Sequence, residues 1–143
     1  MKMNDYINDF TNHLKESIEI ANNTILTPFD KEIKNILICG LGGSGIGGTI
    51  VSDIISAQAT IPIAVTKDYD IPNFVDENTL IIVSSYSGNT EETLYALKKC
   101  QARGSEISII TSAGKLKKIA EENNYNSIII PSDQPPRAMF GYA

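Results

Sequence analysis

The sequence predicts an α/β protein, a five-stranded parallel sheet sandwiched by helices in a doubly wound arrangement, with an amphipathic helix in front of it. Three observations carry this expectation. From residue 33 onward, short β-branched runs alternate with helical stretches, the pattern of parallel strands joined by crossovers. A glycine-rich stretch, Gly40-Leu41-Gly42-Gly43-Ser44-Gly45-Ile46-Gly47-Gly48, follows the first run and leads into a helix. The chain has 143 residues, 42% hydrophobic and 20% charged, with no biased tract. That is the size and composition of one domain, and a chain of this length buries roughly 68–70% of its unfolded surface.

Residues 3–26 read as the leading helix. Met3, Tyr6, Ile7, Phe10, Leu14, Ile18 and Ala21 recur at helical spacing and share one face, and Thr27 and Pro28 end the run. The apolar face is expected to pack on the sheet or on a partner. The strand expectations are 36–39, 61–66, 79–84, 106–110 and 127–130, with helices at 45–57, 90–102 and 114–123. From Pro131 the stretch PSDQPPR reads as a linker. The expected organisation is a single domain over 1–143: residues 1–28 as the packing helix, 33–131 as the α/β core, and 132–143 as the start of a connection to further chain.

Composition narrows the function classes. Twelve basic and seventeen acidic side chains give a formal charge of -5, which speaks against duplex nucleic acid or an anionic membrane as the main partner. The apolar runs are only a few residues long, far short of the ~20 that span a bilayer. The N-terminus MKMNDYINDF is too polar for a signal peptide. Cys39 and Cys100 lie far apart in sequence and are expected to be reduced, buried thiols. With a single histidine and no Cys-x-x-Cys pair, no metal site is expected. A cytoplasmic location follows as an expectation.

Two loops hold the unusual chemistry: the glycine stretch after the first strand, and Ser84-Ser85-Tyr86-Ser87-Gly88-Asn89-Thr90-Glu91-Glu92 after the third. A sheet of order 2-1-3-4-5 makes strands one and three neighbours whose crossovers diverge, so both loops flank one crevice. Gly40-x-Gly42-x-x-Gly45 formally fits a dinucleotide fingerprint, but equally a tight strand-to-helix turn. The acidic residue that a nicotinamide ribose needs is weakly provided, since Asp68 comes late and follows Lys67. No Walker lysine follows the glycines. Ser44 lacks the setting of a nucleophile elbow, and His13, flanked by Asn12, Lys15 and Glu16, reads as a solvated helix residue.

The second loop is more specific. Ser84, Ser85, Ser87 and Thr90 place four hydroxyls at a helix start, where free amides favour an anion. Lys67 is the only basic residue between Lys34 and Lys98, so an anion here would be held largely by neutral donors. Capping competes as an explanation: Asn89 and Glu92 form a capping-box-like pair, and Glu91 and Glu92 complement the helix dipole. Capping does not account for Ser84, Ser85 and Ser87, and phosphate binding is the expectation. Tyr86 and Tyr142 are candidates for lining a pocket beside that anion.

Ser85-Tyr86-Ser87-Gly88-Asn89-Thr90-Glu91-Glu92 resembles the S-x-S-G-x-T-x-E signature of sugar isomerase (SIS) domains. Together with GLGGSGIGG at 40–48, TKDYDIP at 66–72 and QPPRAMFGY at 134–142, it resembles the first half of bifunctional phosphoglucose/phosphomannose isomerases. The resemblance implies a SIS fold, phosphate contacts at Gly43, Ser44, Ser85, Ser87 and Thr90, and an enediolate-stabilising role for Arg137. It implies interconversion of glucose 6-phosphate or mannose 6-phosphate with fructose 6-phosphate, and neither metal nor organic cofactor. The expected partners are a hexose 6-phosphate, a second copy in a homodimer, and a second SIS domain outside these residues that carries the acid/base groups. This chain alone is then expected to be inactive. The alternative is a stand-alone SIS module that senses a sugar phosphate without chemistry, and a nicotinamide-binding module stands third.

Overall fold

Five strands form one sheet in the order β2-β1-β3-β4-β5, and every neighbouring pair is parallel. They are β1 (Asn35–Cys39), β2 (Ile63–Thr66), β3 (Thr79–Ser85), β4 (Glu106–Thr111) and β5 (Asn126–Ile129). The helices between them are α3 (Gly43–Ile55), α4 (Glu91–Ala102) and α5 (Gly114–Asn123), preceded by α1 (Met3–Asn8) and α2 (Phe10–Asn23). The computed structural model describes residues 2–143, and the side chain of Arg137 lies outside the described residues. All five strands are those the sequence predicts, with ends shifted by one or two residues, and the order is the one assumed from the two loops. Residues 67–78 cross from β2 to β3 without a helix.

Alternation along the strands divides the core between two faces. Leu37, Cys39, Ile81, Val83, Ile107 and Ile109 point to the side covered by α4 and α5, where they meet Ala96, Leu97, Cys100, Leu116 and Ala120. Burying each large apolar side chain contributes roughly 1.5–3 kcal/mol, so this layer is the main source of stability. α3 lies on the opposite face and sits close to β1, because a Cβ on Gly48 would stand 2.7 Å from Ile38 Cγ2. Cys39 and Cys100 are both free and buried, as expected, and the fold brings the two thiols together. Contact with Cys100 and burial push the Cys39 thiol up, which keeps it protonated.

The leading helix departs from its expectation in two ways. It breaks at Asp9, whose backbone sits at φ -88 and ψ -1. There the Asp9 carboxylate accepts from Asn12 Nδ2 at 2.5 Å and faces His13 Nε2 at 3.3 Å. Short acidic side chains that bond locally compete with helix continuation. The docked face of α2 is Phe10, His13, Ser17, Ile20 and Thr24, one step round from the apolar stripe, and Met3, Ile7, Leu14 and Ile18 remain exposed. His13, expected in solvent, is only 3% exposed. The cause is tertiary: Gly141 comes so near that a Cβ there would meet His13 Cβ at 2.7 Å, and Tyr142 packs its ring 5.0 Å from the imidazole.

Candidate functional site

The two loops converge. A cleft of about 480 Å³ opens at the C-terminal edge of β1 and β3, between the glycine stretch and the hydroxyl loop. Gly42, Gly43 and Ser44 line one side, and Ser84, Ser85, Tyr86, Ser87 and Thr90 line the other. All five expected phosphate contacts, Gly43, Ser44, Ser85, Ser87 and Thr90, therefore share one cavity. The remaining wall is apolar and comes from the C-terminal segment, with Met139, Phe140 and Ala143 beside Ile130. The motif QPPRAMFGY marks this segment in the sequence but not as a wall, because the 3-10 turns Pro136–Ala138 and Phe140–Tyr142 show no periodicity and their position depends on packing against α2.

The glycines act as a close-packed turn. Gly42 has φ +61 at the N-cap of α3, a left-handed conformation that side chains resist. A Cβ on Gly45 would stand 2.7 Å from the Gly40 carbonyl oxygen, so the first turn of α3 rests directly on the end of β1. Gly43, by contrast, has open space around it. It is the first residue of α3, and its amide and that of Ser44 belong to the unpaired N-terminal donors of a helix.

The hydroxyl loop is internally bonded. Ser85 Oγ and Thr90 Oγ1 lie 2.8 Å apart and share a hydrogen bond, and Ser85 Oγ also accepts from the Gly88 amide at 3.3 Å. Ser87 Oγ accepts from the Asn89 amide at 3.2 Å while its side chain stays exposed to the cleft. Thr90, not Asn89, is the N-cap of α4, and no side-chain capping bond is made there. Asn89 instead turns its Oδ1 to the amide of Lys115 at 3.0 Å, so the expected Asn89–Glu92 capping box does not form. Glu91 and Glu92 do occupy the first turn of α4, as expected from the dipole.

The N-termini of α3 and α4 thus face one cavity rimmed by serine and threonine hydroxyls. Each end carries roughly half a positive charge, and neutral donors add about 1 kcal/mol net apiece, somewhat more to a charged oxygen. Among the described lining residues there is no Lys, Arg, His, Asp or Glu. The arrangement suits a small anion such as a phosphoryl group, with an apolar wall for the body of the ligand.

Other expectations resolve as follows. Tyr86 lines the cleft and donates its hydroxyl to the Gln134 carbonyl at 2.7 Å. Tyr142 is buried outside it, donating to Glu16, and burial together with that carboxylate pushes the phenol above its ordinary range. Asp68 uses its carboxylate on the Tyr69 amide at 2.7 Å and does not line the cleft, so the ribose contact of a nicotinamide site is missing among the described residues. The role expected of Arg137 falls on a side chain outside the described residues. Ser84, singled out with the other hydroxyls of its loop, lines the cleft as well, and Met139 and Phe140 join the site without having been singled out as binding residues. No helix among the described residues is long and apolar enough to cross a membrane.

Comparison with known proteins agrees with the geometry. A family model described as the SIS domain matches residues 31–141. A bifunctional phosphoglucose/phosphomannose isomerase of Caldicellulosiruptor bescii is 43% identical over 130 residues, 91% of this chain and 38% of that protein. The protein of the same description from Thermoplasma acidophilum is 47% identical over 108 residues, 76% of this chain and 33% of that protein. The crystal structure of a candidate phosphosugar isomerase from Clostridium difficile 630 superposes with a TM-score of 0.78 at 20% identity, over 99% of this chain and 43% of that one. The chain spans about a third of the length of the curated relatives it matches.

Proposed function

The chain belongs to the SIS domain family, and from that premise we propose that residues 1–143 are the phosphosugar-binding amino-terminal half of an aldose–ketose isomerase. The substrates are glucose 6-phosphate or mannose 6-phosphate and fructose 6-phosphate. The observation that carries this reading is the convergence of Ser44, Ser85, Ser87 and Thr90 with two helix N-termini on one cleft. The 43–47% identity to proteins named as phosphoglucose/phosphomannose isomerases supports the substrate class.

In this reading the 6-phosphate sits on the hydroxyl loop and the amides of Gly43 and Ser44. The open-chain sugar then extends along the apolar wall toward residue 137. Moving a proton between C1 and C2 passes through a cis-enediolate, and Arg137 opposes its negative charge without exchanging a proton. The proton itself needs an acid and a base. The described cleft residues include neither, and His13 is packed beneath Tyr142. The acid/base groups are therefore assigned to a second SIS domain outside these residues, to which 132–143 lead, and the working assembly is a homodimer.

The lack of acid/base groups among the described cleft residues equally suits a sensor that binds a sugar phosphate and signals without chemistry. Calorimetry with fructose 6-phosphate, run beside a turnover assay, tests the proposal. The chain alone should bind the phosphosugar and leave it unchanged, and a longer protein containing this half should isomerise it. No binding of fructose 6-phosphate or inorganic phosphate removes the site reading. Turnover by the purified chain alone refutes the assignment of the acid/base groups elsewhere. A longer protein that binds without turnover favours the sensor.

A further inference from the structure

The hydroxyl loop does not hold its shape alone. Beneath it runs the β4–α5 loop, and four backbone carbonyls of the upper loop turn toward it. Thr111 Oγ1 donates to the Ser85 carbonyl at 2.7 Å. Ser112 donates to the Tyr86 carbonyl through its amide at 3.1 Å and its hydroxyl at 2.5 Å. The Leu116 amide donates to the Gly88 carbonyl at 3.0 Å. The Ser87 carbonyl lies against Gly114, where a Cβ would stand only 2.3 Å from it.

Gly88 closes the contact from the other side, since its Cβ would fall 1.9 Å from the Ala113 carbonyl oxygen. Gly88 and Gly114 have φ +69 and +72, so the two backbones meet through a pair of left-handed glycines. Asn89 completes the junction. Its Oδ1 accepts from the Lys115 amide at 3.0 Å, which makes Asn89 a cap of α5 supplied by a different loop.

In a planar trans peptide the carbonyl and the following amide point in opposite directions. Carbonyls drawn down onto 111–116 therefore turn the next amides away from that loop. For the Tyr86–Ser87 peptide this directs the Ser87 N–H away from the clamp, within a loop whose opposite side lines the cleft. Asn89, Thr111 and Ser112 are not among the lining residues. Thr111 is 0% exposed, so its hydroxyl serves the interior alone.

We propose that Asn89 and Thr111 are positioning residues for anion binding: they hold loop 84–90 with the Ser87 amide turned to the cleft, and phosphate affinity depends on them without contact. This rests on the phosphate-binding reading given above. The loop is bound in advance of the ligand, so the ordering cost of binding is already met by the fold.

The test uses the purified chain, with inorganic phosphate and fructose 6-phosphate as probes, and the variants Asn89→Ala, Thr111→Val, Thr111→Ser and Ser87→Ala. Asn89→Ala and Thr111→Val should each weaken binding about tenfold. Thr111→Ser, which keeps the hydroxyl, should stay within about twofold of the parent. In amide NMR spectra, phosphate should shift Ser87 and Gly88 in the parent and shift them much less in Asn89→Ala, with the β1 amides unmoved by the substitution. Asn89 is exposed, so its variant tests the idea even where Thr111→Val fails to fold. Loss of binding in Ser87→Ala with full affinity in Asn89→Ala overturns the positioning role and leaves the site intact. Absence of binding in the parent overturns the site itself.

Discussion

Tyr142 donates a hydrogen bond to Glu16, 126 residues away in sequence. That bond ties the last 3-10 turn to α2, with Phe10 stacked on Phe140 at 6.0 Å and His13 against Tyr142 at 5.0 Å. Because Met139, Phe140 and Ala143 form the apolar wall of the cleft, the N-terminal helix holds that wall in place from a distance.

Removing this bond has a pH signature. Tyr142 is held above its ordinary range, first by burial and then by Glu16. A group raised in the folded state contributes stability that is complete below its unfolded value, about 10 for tyrosine, and that is lost as pH rises toward the folded value. Tyr142→Phe should cost about 0.5–1.5 kcal/mol at pH 7. It should also flatten the decline in stability expected of the parent above about pH 10. Urea unfolding at pH 7 and pH 10.5 measures both, and equal alkaline declines in the two proteins contradict the assignment.

The two glycine loops should respond to alanine in opposite ways. Gly114→Ala places a Cβ 2.3 Å from the Ser87 carbonyl at φ +72 and should destabilise by more than the roughly 1–2 kcal/mol of left-handed strain alone. Gly43→Ala meets nothing within 4 Å and should leave stability within about 0.5 kcal/mol. Since Gly43 lines the cleft, its new methyl group should still weaken phosphate binding. Thermal unfolding and calorimetry on both variants separate the two effects.

Ser87→Ala and Thr90→Ala should each lose one charge-assisted bond to phosphate, about 1.5–3 kcal/mol, or roughly ten- to a hundredfold in affinity. Thr90→Ala should fall further of the two, because it also removes the partner of Ser85 Oγ at 2.8 Å. Titration with fructose 6-phosphate is the measurement. Unchanged affinity in both variants places the anion elsewhere.

In the proposed function Arg137 acts on the transition state and Ser87 in ground-state binding. In a longer protein containing this half, Arg137→Ala should lower kcat on the order of a hundred- to a thousandfold, about 2.7–4 kcal/mol of barrier, with a small change in KM. Lysine should restore part of the rate, since a point charge replaces the planar fork. Steady-state kinetics beside Ser87→Ala decides it, and an Arg137→Ala variant with raised KM and parental kcat makes the arginine a binding residue.

The two thiols should be silent. Cys39 and Cys100 are at most 1% exposed, and Cys39 is kept protonated by its neighbour and by burial. An aromatic disulfide reagent should react with the folded chain only at the rate of unfolding, and with both thiols at once in guanidinium. Rapid labelling of one thiol in the native protein contradicts this packing.

The strands and the hydroxyl loop were legible in the sequence because each follows from local chemistry, whereas the order of the strands was an assumption that the structure bears out. β-branched runs at crossover spacing leave few sheet topologies, and four clustered hydroxyls at a helix start exceed what capping alone requires. Once strands one and three are neighbours the two loops must pair, since diverging crossovers at adjacent strands open one crevice. What only the tertiary structure decided concerns contacts between segments far apart in the chain. Apolar periodicity marks Leu14 and Ile18 as the docked face of α2, yet the face that docks holds His13 and Ser17, because the surface it meets is the turn at Gly141 and Tyr142. Asn89 reads as the cap of its own helix and is instead the cap of α5, because a side-chain oxygen bonds whichever free amide lies nearest in space. Sequence spacing records neighbours along the chain. Which neighbours meet across it depends on how whole elements pack, and that placed the cleft's apolar wall and the clamp beneath its anion loop.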